Sequence, residues 1–390
     1  MNFEFILKIF FWLLVLIPFH SYMFYPFIIW VISIFIKRRR QIENFNLPNI
    51  SIIISAFNEE KVIQNRVENI AIQNYDFNKL ELIIGSDCST DNTNEILLSL
   101  ENKYSWLKII LFKERRGKAA VINDLVNQAS GTILLFSDAN TEFEKDATYN
   151  LVNEFYDSNI GGVSGKLELV EPVNDFEKSS QEIEYWDFEV LIKKLEGKIG
   201  VLIGANGGIF AIRKDLFESI PIEKAVTDDL FITLSVLKQQ YKFGYTFNAK
   251  AKEDTAKDLS TEFNRKVRFA STNFQTLSYF KELLLSKNLL LSFALWSHKV
   301  FRWITPFLLI IIFIINTILV NSDSVYQYTL FLQIIFYTGA LSGYLASLFK
   351  LRIPVITTIF YFIYSNIAII YGFIKYLRGS HSGIWKPTSR

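Results

Sequence analysis

Cysteine is almost missing from this chain: Cys88 is the only one in 390 residues. No intramolecular disulfide can staple the fold, which agrees with a reducing compartment. An excess of either charge is missing too. Lys and Arg number 41 against 39 Asp and Glu, a formal net charge of +2. That balance offers no electrostatic hold on nucleic acid or another polyanion. No internal repeat and no low-complexity linker breaks the chain. In four stretches, 9–36, 304–322, 324–349 and 353–374, charged residues are absent altogether. Each reaches the roughly 20 apolar residues that a helix needs to cross hydrocarbon.

What is present is apolar and aromatic. Half of the residues are hydrophobic, 16% are aromatic and 36 are Phe, which is high for a soluble enzyme. The first uncharged run is too long for the apolar region of a signal peptide, and no small-residue cleavage site follows. Lys37-Arg38-Arg39-Arg40 follows instead. By the positive-inside rule this cluster stays in the cytoplasm and the N-terminus lies outside, if the run is one span. Pro18, His20 and Pro26 interrupt the run, so two short passes stay open. The expected order is an N-terminal membrane segment with its basic flank (1–40), a cytoplasmic domain (41–282), an interfacial amphipathic segment (283–302), C-terminal membrane segments (303–378) and a tail (379–390). The location is the inner (plasma) membrane, multi-pass. Three C-terminal spans would leave Lys375, Arg378, Lys386 and Arg390 outside, against the positive-inside tendency. Either the tail is external, or one run is re-entrant or interfacial.

Within 41–282 short apolar runs at 50–55, 80–85, 107–112 and 132–136 alternate with helical stretches at 61–73, 92–101 and 118–129. That alternation implies an α/β fold with a mostly parallel sheet. Ligands bind such sheets off the carboxyl ends of the strands. The acidic clusters fall at those ends: Asn58-Glu59-Glu60, Asp87 with Asp91, and Ser137-Asp138-Ala139-Asn140, with Asp228-Asp229 downstream. Their spacing fits one site that holds a metal-bound nucleotide beside acid/base chemistry. The plainer readings are helix N-caps for Asp91, Asp138, Asp228 and Asp229, a helix-face salt bridge for Glu60, and a solvated basic turn for Arg115, Arg116 and Lys118.

The segments Ser55-Ala56-Phe57-Asn58-Glu59-Glu60, Ser86-Asp87-Cys88-Ser89-Thr90-Asp91, Arg116-Gly117-Lys118, Ser137-Asp138-Ala139-Asn140, Gly204-Ala205-Asn206-Gly207 and Thr227-Asp228-Asp229 together resemble family 2 glycosyltransferases with the GT-A fold. The flanking apolar runs and the tail Gly383-Ile384-Trp385-Lys386-Pro387-Thr388-Ser389-Arg390 resemble the membrane-bound branch, which includes poly-N-acetylglucosamine, hyaluronan and cellulose synthases.

The resemblance implies a GT-A domain flanked by transmembrane helices. It also implies an inverting transfer of a sugar from a nucleotide-diphospho-sugar, a UDP-sugar, to a growing polysaccharide. A single-sugar transferase with a lipid-linked acceptor and a non-catalytic subunit of an export complex stay as alternatives. Donor binding would fall to Asn58, Glu60, Asp87, Asp91, Arg116, Lys118 and Asp138. A divalent cation, Mg2+ or Mn2+, would sit on Asp138 and Asn140, where the family more often has a second aspartate. Asp229 would be the base, Asp228 its support, and Arg268 would neutralise charge on the leaving group. The acceptor would meet Gly204, Ala205, Asn206, Tyr185, Trp186, Arg265 and Phe269. Arg265 and Phe269 stand where processive members carry Gln and Trp, which leaves processivity open.

Overall fold

The computed structural model describes residues 3–36, 46–170, 180–254, 259–349, 351 and 353–379, without the side chains of 180–185 and 259. The basic cluster Lys37 to Arg40, the side chain of Tyr185 and the tail from Gly383 to Arg390 lie outside the described residues.

Each expected apolar run is a strand. β1 (Ile50–Ala56), β2 (Leu80–Ser86), β3 (Leu107–Leu111) and β4 (Ile133–Phe136) pair in parallel in the order β3-β2-β1-β4. β1, β2 and β4 are buried along nearly their whole length. This explains their unbroken Ile and Leu content, since helices cover both faces. The other half of the sheet holds β5 (Glu142–Phe143), β6 (Ile160–Val170), β7 (Phe210–Arg213) and β8 (Lys242–Asp254), in the order β7-β6-β8-β5 after β4. β7 runs antiparallel to β4 and β6, whereas β6 and β8 are parallel. The result is a mixed eight-stranded sheet, as expected for a GT-A domain. Register fixes the site: Ile53 faces both Ile83 and Phe136, so the segments after β1, β2 and β4 open at one edge.

Four helices are long and apolar enough to cross a membrane: Phe3–Phe35, Leu289–Leu319, Ser324–Leu348 and Pro354–Leu377. Their large apolar side chains face outward, Phe331 and Leu332 among them, as lipid-facing surface does, and the chain is a membrane protein. The N-terminal run is one helical stretch rather than two passes. A five-residue π turn, His20–Phe24, absorbs the break between Pro18 and Pro26, the kind of local rewinding that keeps a helix continuous. The His20 imidazole and the Ser21 hydroxyl bond Ser297 at 2.8 and 2.6 Å.

The segment 283–302, expected to lie at the interface, divides between two elements. Lys281–Leu285 forms a short 3-10 turn, and then Leu289–Leu319 runs unbroken through residue 302. Leu291, Leu295 and His298 on its first half are fully buried. His298 and Lys299 pair with the buried carboxylates of Glu189 and Glu196.

Pro354–Leu377 lies alongside the helix Leu259–Tyr279, and the two run parallel. Tyr361 bonds Glu262, and the Lys266 ammonium donates to Tyr361 and Ser365 at 2.9 and 2.8 Å. Further along, Gly372 sits against Ala270, where an added Cβ would come within 2.4 Å of the Ala270 Cβ. Phe274 meets Phe373 at 5.0 Å. Pro354–Leu377 also packs on the membrane hairpin, where Phe362 meets Phe336 at 6.0 Å. Its residue Phe360 covers Gly343, and Phe373 meets Phe307 at 5.2 Å.

Of the tyrosines and polar residues on the membrane helices, Tyr361 joins helices and Asn366 bonds the Phe362 carbonyl at 2.8 Å. Tyr337 reaches the Leu309 carbonyl at 3.4 Å. Tyr344 is about half exposed on the outside.

Candidate active site

The loops after β1 and β2 are laced together. Asn58, at φ 55°, accepts from the Thr90 amide at 2.8 Å, and its own amide nitrogen reaches the Thr90 hydroxyl at 3.2 Å. Glu60 accepts from the backbone and side chain of Asn92 at 3.1 and 2.8 Å. Asp91 takes the Thr93 amide and hydroxyl at 3.0 and 2.6 Å and the Glu60 amide at 3.2 Å. It therefore closes the start of the helix Thr93–Glu101. Burial opposes its charge, but these hydrogen bonds prevail and hold its pKa below the usual value.

Asp87 is 2% exposed. Its two oxygens accept from the Arg116 and Gly117 amides at 2.7 and 2.9 Å, and Arg115 lies 3.4 Å away. Gly117 has φ 86°, a conformation suited to glycine. Thus two backbone donors at the head of the helix Lys118–Gln128 are occupied by a carboxylate. The Arg116 guanidinium pairs with Asp124.

The second half of the site is ionic. Lys118 reaches across the cleft and holds Asp138 at 2.7 Å and Asp228 at 2.8 Å. Burial opposes its charge, but the two carboxylates prevail and raise its pKa. Asp228 is likewise pushed up by burial, yet Lys118 holds it below the ordinary value. Asp229 goes the other way: burial, then the neighbouring Asp228 charge, raises it to about 6, against the pull of Lys193 and Lys118. One oxygen of Asp229 accepts from the Leu230 amide at 2.6 Å. Arg268 is lowered by burial and by Arg265, and feels the Asp228 and Asp138 charges in the opposite sense. Asp138, Lys118, Asp228, Asp229 and Arg268 thus share one electrostatic neighbourhood.

Other expected residues take quieter places. Phe269 is 41% exposed beside Arg268. The Trp186 indole donates to the Leu167 carbonyl at 2.7 Å and is pinned to β6. Asn206 is 1% exposed and donates to the Gly165 carbonyl at 2.6 Å. Gly204, at φ 90°, and Ala205 form the turn before it. The Asn140 amide donates to Glu253 at 3.1 Å, which turns its oxygen elsewhere. Among the described residues, no group of three or more His, Cys, Asp or Glu is arranged to hold a metal. A partly exposed carboxylate and an amide oxygen are hard donors. That pair fits a cation completing its shell with water and phosphate oxygens.

Sequence reading missed the residues that set these groups. Thr227 bonds Thr272 at 2.7 Å and Asn273 at 2.8 Å, and its amide donates to Thr276 at 3.0 Å. These bonds fasten the Arg268 helix to the Asp228-Asp229 turn. Buried Arg66 bonds Ser137 at 2.9 Å and Asn69 at 2.7 Å behind Asp138. Burial pulls its pKa down to about 9. Lys193 bonds Asn206 at 2.5 Å. Only the spacing of Thr272 and Thr276, one turn apart, was visible as a signal.

A GT-A sheet with carboxylates gathered at its strand ends defines a class, the nucleotide-sugar-dependent glycosyltransferases. Residues 51–220 match the model of glycosyl transferase family 2, and the chain carries a glycosyltransferase domain of that family. It is 28% identical over 205 residues to the probable glycosyltransferase YdaM of Bacillus subtilis (strain 168), covering 51% of this chain and 48% of that protein. It is 24% identical over 245 residues to the poly-beta-1,6-N-acetyl-D-glucosamine synthase of Staphylococcus aureus (strain COL), covering 62% of this chain and 58% of that protein. The matched region thus spans about half the length of these curated relatives. In fold it is similar to the mannosyltransferase PcManGT from Pyrobaculum calidifontis, solved in complex with GDP-Man and Mn2+. The TM-score is 0.70 over 94% of this chain and 99% of that one, at 18% identity. At that identity the likeness speaks for the fold alone.

Proposed function

We propose that the protein is a membrane-bound inverting glycosyltransferase. It moves a sugar from a nucleotide-diphospho-sugar, a UDP-sugar, to a growing polysaccharide. The observation that carries this reading is the pairing of Lys118 with carboxylates from two separate parts of the fold, Asp138 and Asp228, next to a carboxyl tuned to about 6. The donor diphosphate lies along Lys118 and Arg268, whose charges offset the negative charge that develops as it leaves. Asp229 takes the proton of the acceptor hydroxyl as that oxygen attacks the anomeric carbon from the opposite side. A carboxyl with a pKa near 6 is ionised at neutral pH and basic enough for that task. Asp138 and Asn140 would hold a divalent cation, Mg2+ or Mn2+, which when bound would offset the charge of the leaving diphosphate. The name of the staphylococcal relative favours a polymer product. Arg265 and Phe269 favour, as a second reading, single-sugar transfer to a lipid acceptor.

The orientation that goes with this reading puts the catalytic domain in the cytoplasm. Phe3–Phe35, Leu289–Leu319 and Ser324–Leu348 cross the bilayer, and Pro354–Leu377 lies along its cytoplasmic face. Two facts support this. A fourth crossing antiparallel to Ser324–Leu348 would carry Phe373 toward the turn that joins the hairpin after Leu319, but Phe373 meets Phe307, midway along Leu289–Leu319. Lys375 and Arg378 then stay inside, as the positive-inside tendency asks. Incubating the detergent-solubilised protein with labelled nucleotide sugars and weighing the products tests the activity. Long product supports the polymerase, single-sugar product the second reading, and no transfer from any donor sinks both.

A further inference from the structure

Behind Asp229 lies a buried charged cluster that the mechanism does not use. Glu189 and Glu196 stand two turns apart on the helix Ser180–Ile199. Both bond His298, at 3.0 and 2.7 Å. Glu189 also holds Arg302, and Lys299 lies 3.8 Å from it. Glu196 accepts from the Tyr25 hydroxyl at 2.5 Å and from the Ile203 amide at 3.0 Å. Tyr25 belongs to the first membrane helix, and His298, Lys299 and Arg302 to the second. Between the two carboxylates in sequence comes Lys193, 6% exposed. Its ammonium meets the Asn206 oxygen at 2.5 Å and the Ala205 carbonyl at 3.4 Å.

The loop that Lys193 grips is the one against which Asp229 rests. A Cβ on Gly207 would lie 3.2 Å from an Asp229 oxygen. Thr233 ties the same pair of segments: it accepts from the Ala205 amide at 3.1 Å and donates to the Asp229 carbonyl at 2.6 Å. Asn206 is fixed from the other side, its amide donating to the Ser164 hydroxyl at 2.9 Å. Lys193 is therefore the charged member of the wall behind Asp229.

We infer that Lys193 is a positioning residue for Asp229. It anchors the Ala205-Asn206-Gly207 lip, supplies the positive charge that keeps the Asp229 carboxylate ionised, and is held in place by a cluster completed from two membrane helices. The membrane bundle is thus part of the scaffold of the base. This rests on the reading of Asp229 as base. The charges facing Asp229 are Asp228 on its own helix, Lys118 across the cleft and Lys193 behind. Those facing Lys193 are Asp229, Glu189, Glu196 and Lys299. The balance is delicate, since burial and Lys299 pull Lys193 down to about 8.

The test is the pH profile of kcat with the nucleotide sugar that the wild type turns over. Removing a cation near a carboxylate raises that carboxyl's pKa by about one unit or more. Lys193→Met should move the acidic limb up by about one pH unit and lower kcat near pH 6 about fivefold, with the donor KM unchanged. Lys193→Arg keeps the charge and should return the limb to its wild-type position. Lys193→Gln keeps a polar donor on a shorter side chain but not the charge, so the limb should stay shifted; it also serves if the Met variant fails to fold. His298→Gln should move the limb in the same direction by less. An unmoved limb in both uncharged variants, with activity lost evenly at all pH, overturns the inference. An unmoved limb in His298→Gln alone overturns the membrane contribution. If Asp229→Asn keeps its turnover, the base reading itself fails, whatever Lys193 does.

Discussion

The two halves of the cleft contain similar residues and treat them differently. After β1 and β2, Asn58, Glu60, Asp87 and Asp91 are consumed by hydrogen bonds to backbone and neighbouring side chains. After β4 and at the helix Asp228–Lys238, Asp138 and Asp228 share the Lys118 ammonium, and Asp229 is set by burial and Asp228 against the pull of Lys193 and Lys118. The first half builds a fixed shape from local bonds. The second holds charge in balance and can exchange a partner when a phosphate or a proton arrives. An acidic residue at a strand end is therefore no guide to its role until its partners are known.

This contrast breaks first at Asp229. Asp229→Asn keeps shape but cannot take a proton, and kcat should fall by roughly 10²–10⁴-fold with donor binding intact. Next comes Lys118→Met, which leaves Asp138 and Asp228 without their shared cation. Transfer should fall by about 10²–10³-fold, the range seen when one preorganised charge donor is lost, with the donor KM raised as well. A smaller effect is expected where charge is not touched. Thr272→Val with Thr276→Val loosens the Arg268 helix and should cost about 1 kcal/mol of stability per lost bond by denaturant unfolding.

The fixed half should respond least in turnover. Asp91→Ala removes a helix cap and should cost about 1 kcal/mol of stability with kcat nearly unchanged. Its pH dependence has a definite sign. The folded pKa of Asp91 is depressed, so its contribution is present above the unfolded aspartate value and is lost as pH falls through the folded one. A large drop in kcat for Asp91→Ala would erase the distinction between the halves. Orientation has its own check. With Cys88→Ser as background, a cysteine at Asn321 should react with an impermeant maleimide from outside the cell, and one at Arg378 should not.

The parallel half of the sheet was legible because each strand is a short apolar run that stops at a polar residue. Asp138, Lys118, Asp228, Asp229 and Arg268 were legible because each carries charge at such a stop or on a motif. The mixed half, β5 to β8, was harder to read. β5 is two residues long, and β6 and β8 pair across about 80 residues. Thr272, Asn273 and Thr276 look like ordinary helix residues until Thr227 arrives from 45 positions away. Lys193, Glu189 and Glu196 read as solvated charges on a surface helix, because nothing in their spacing says that His298 and Arg302 will cover them. Hydropathy gave the length of Pro354–Leu377 but not its direction, which depends on Gly372 and Ala270 meeting.

The most direct measurement follows label from nucleotide sugar to glycan in matched membrane preparations of the wild type and Asp229→Asn, across pH 5 to 8. The account predicts transfer by the wild type with an acidic limb near 6, the value set by burial and Asp228. It predicts that Asp229→Asn binds the same donor and leaves it almost untouched at every pH. Transfer by Asp229→Asn at the wild-type rate, or a wild-type limb at the ordinary carboxylate value, would contradict it.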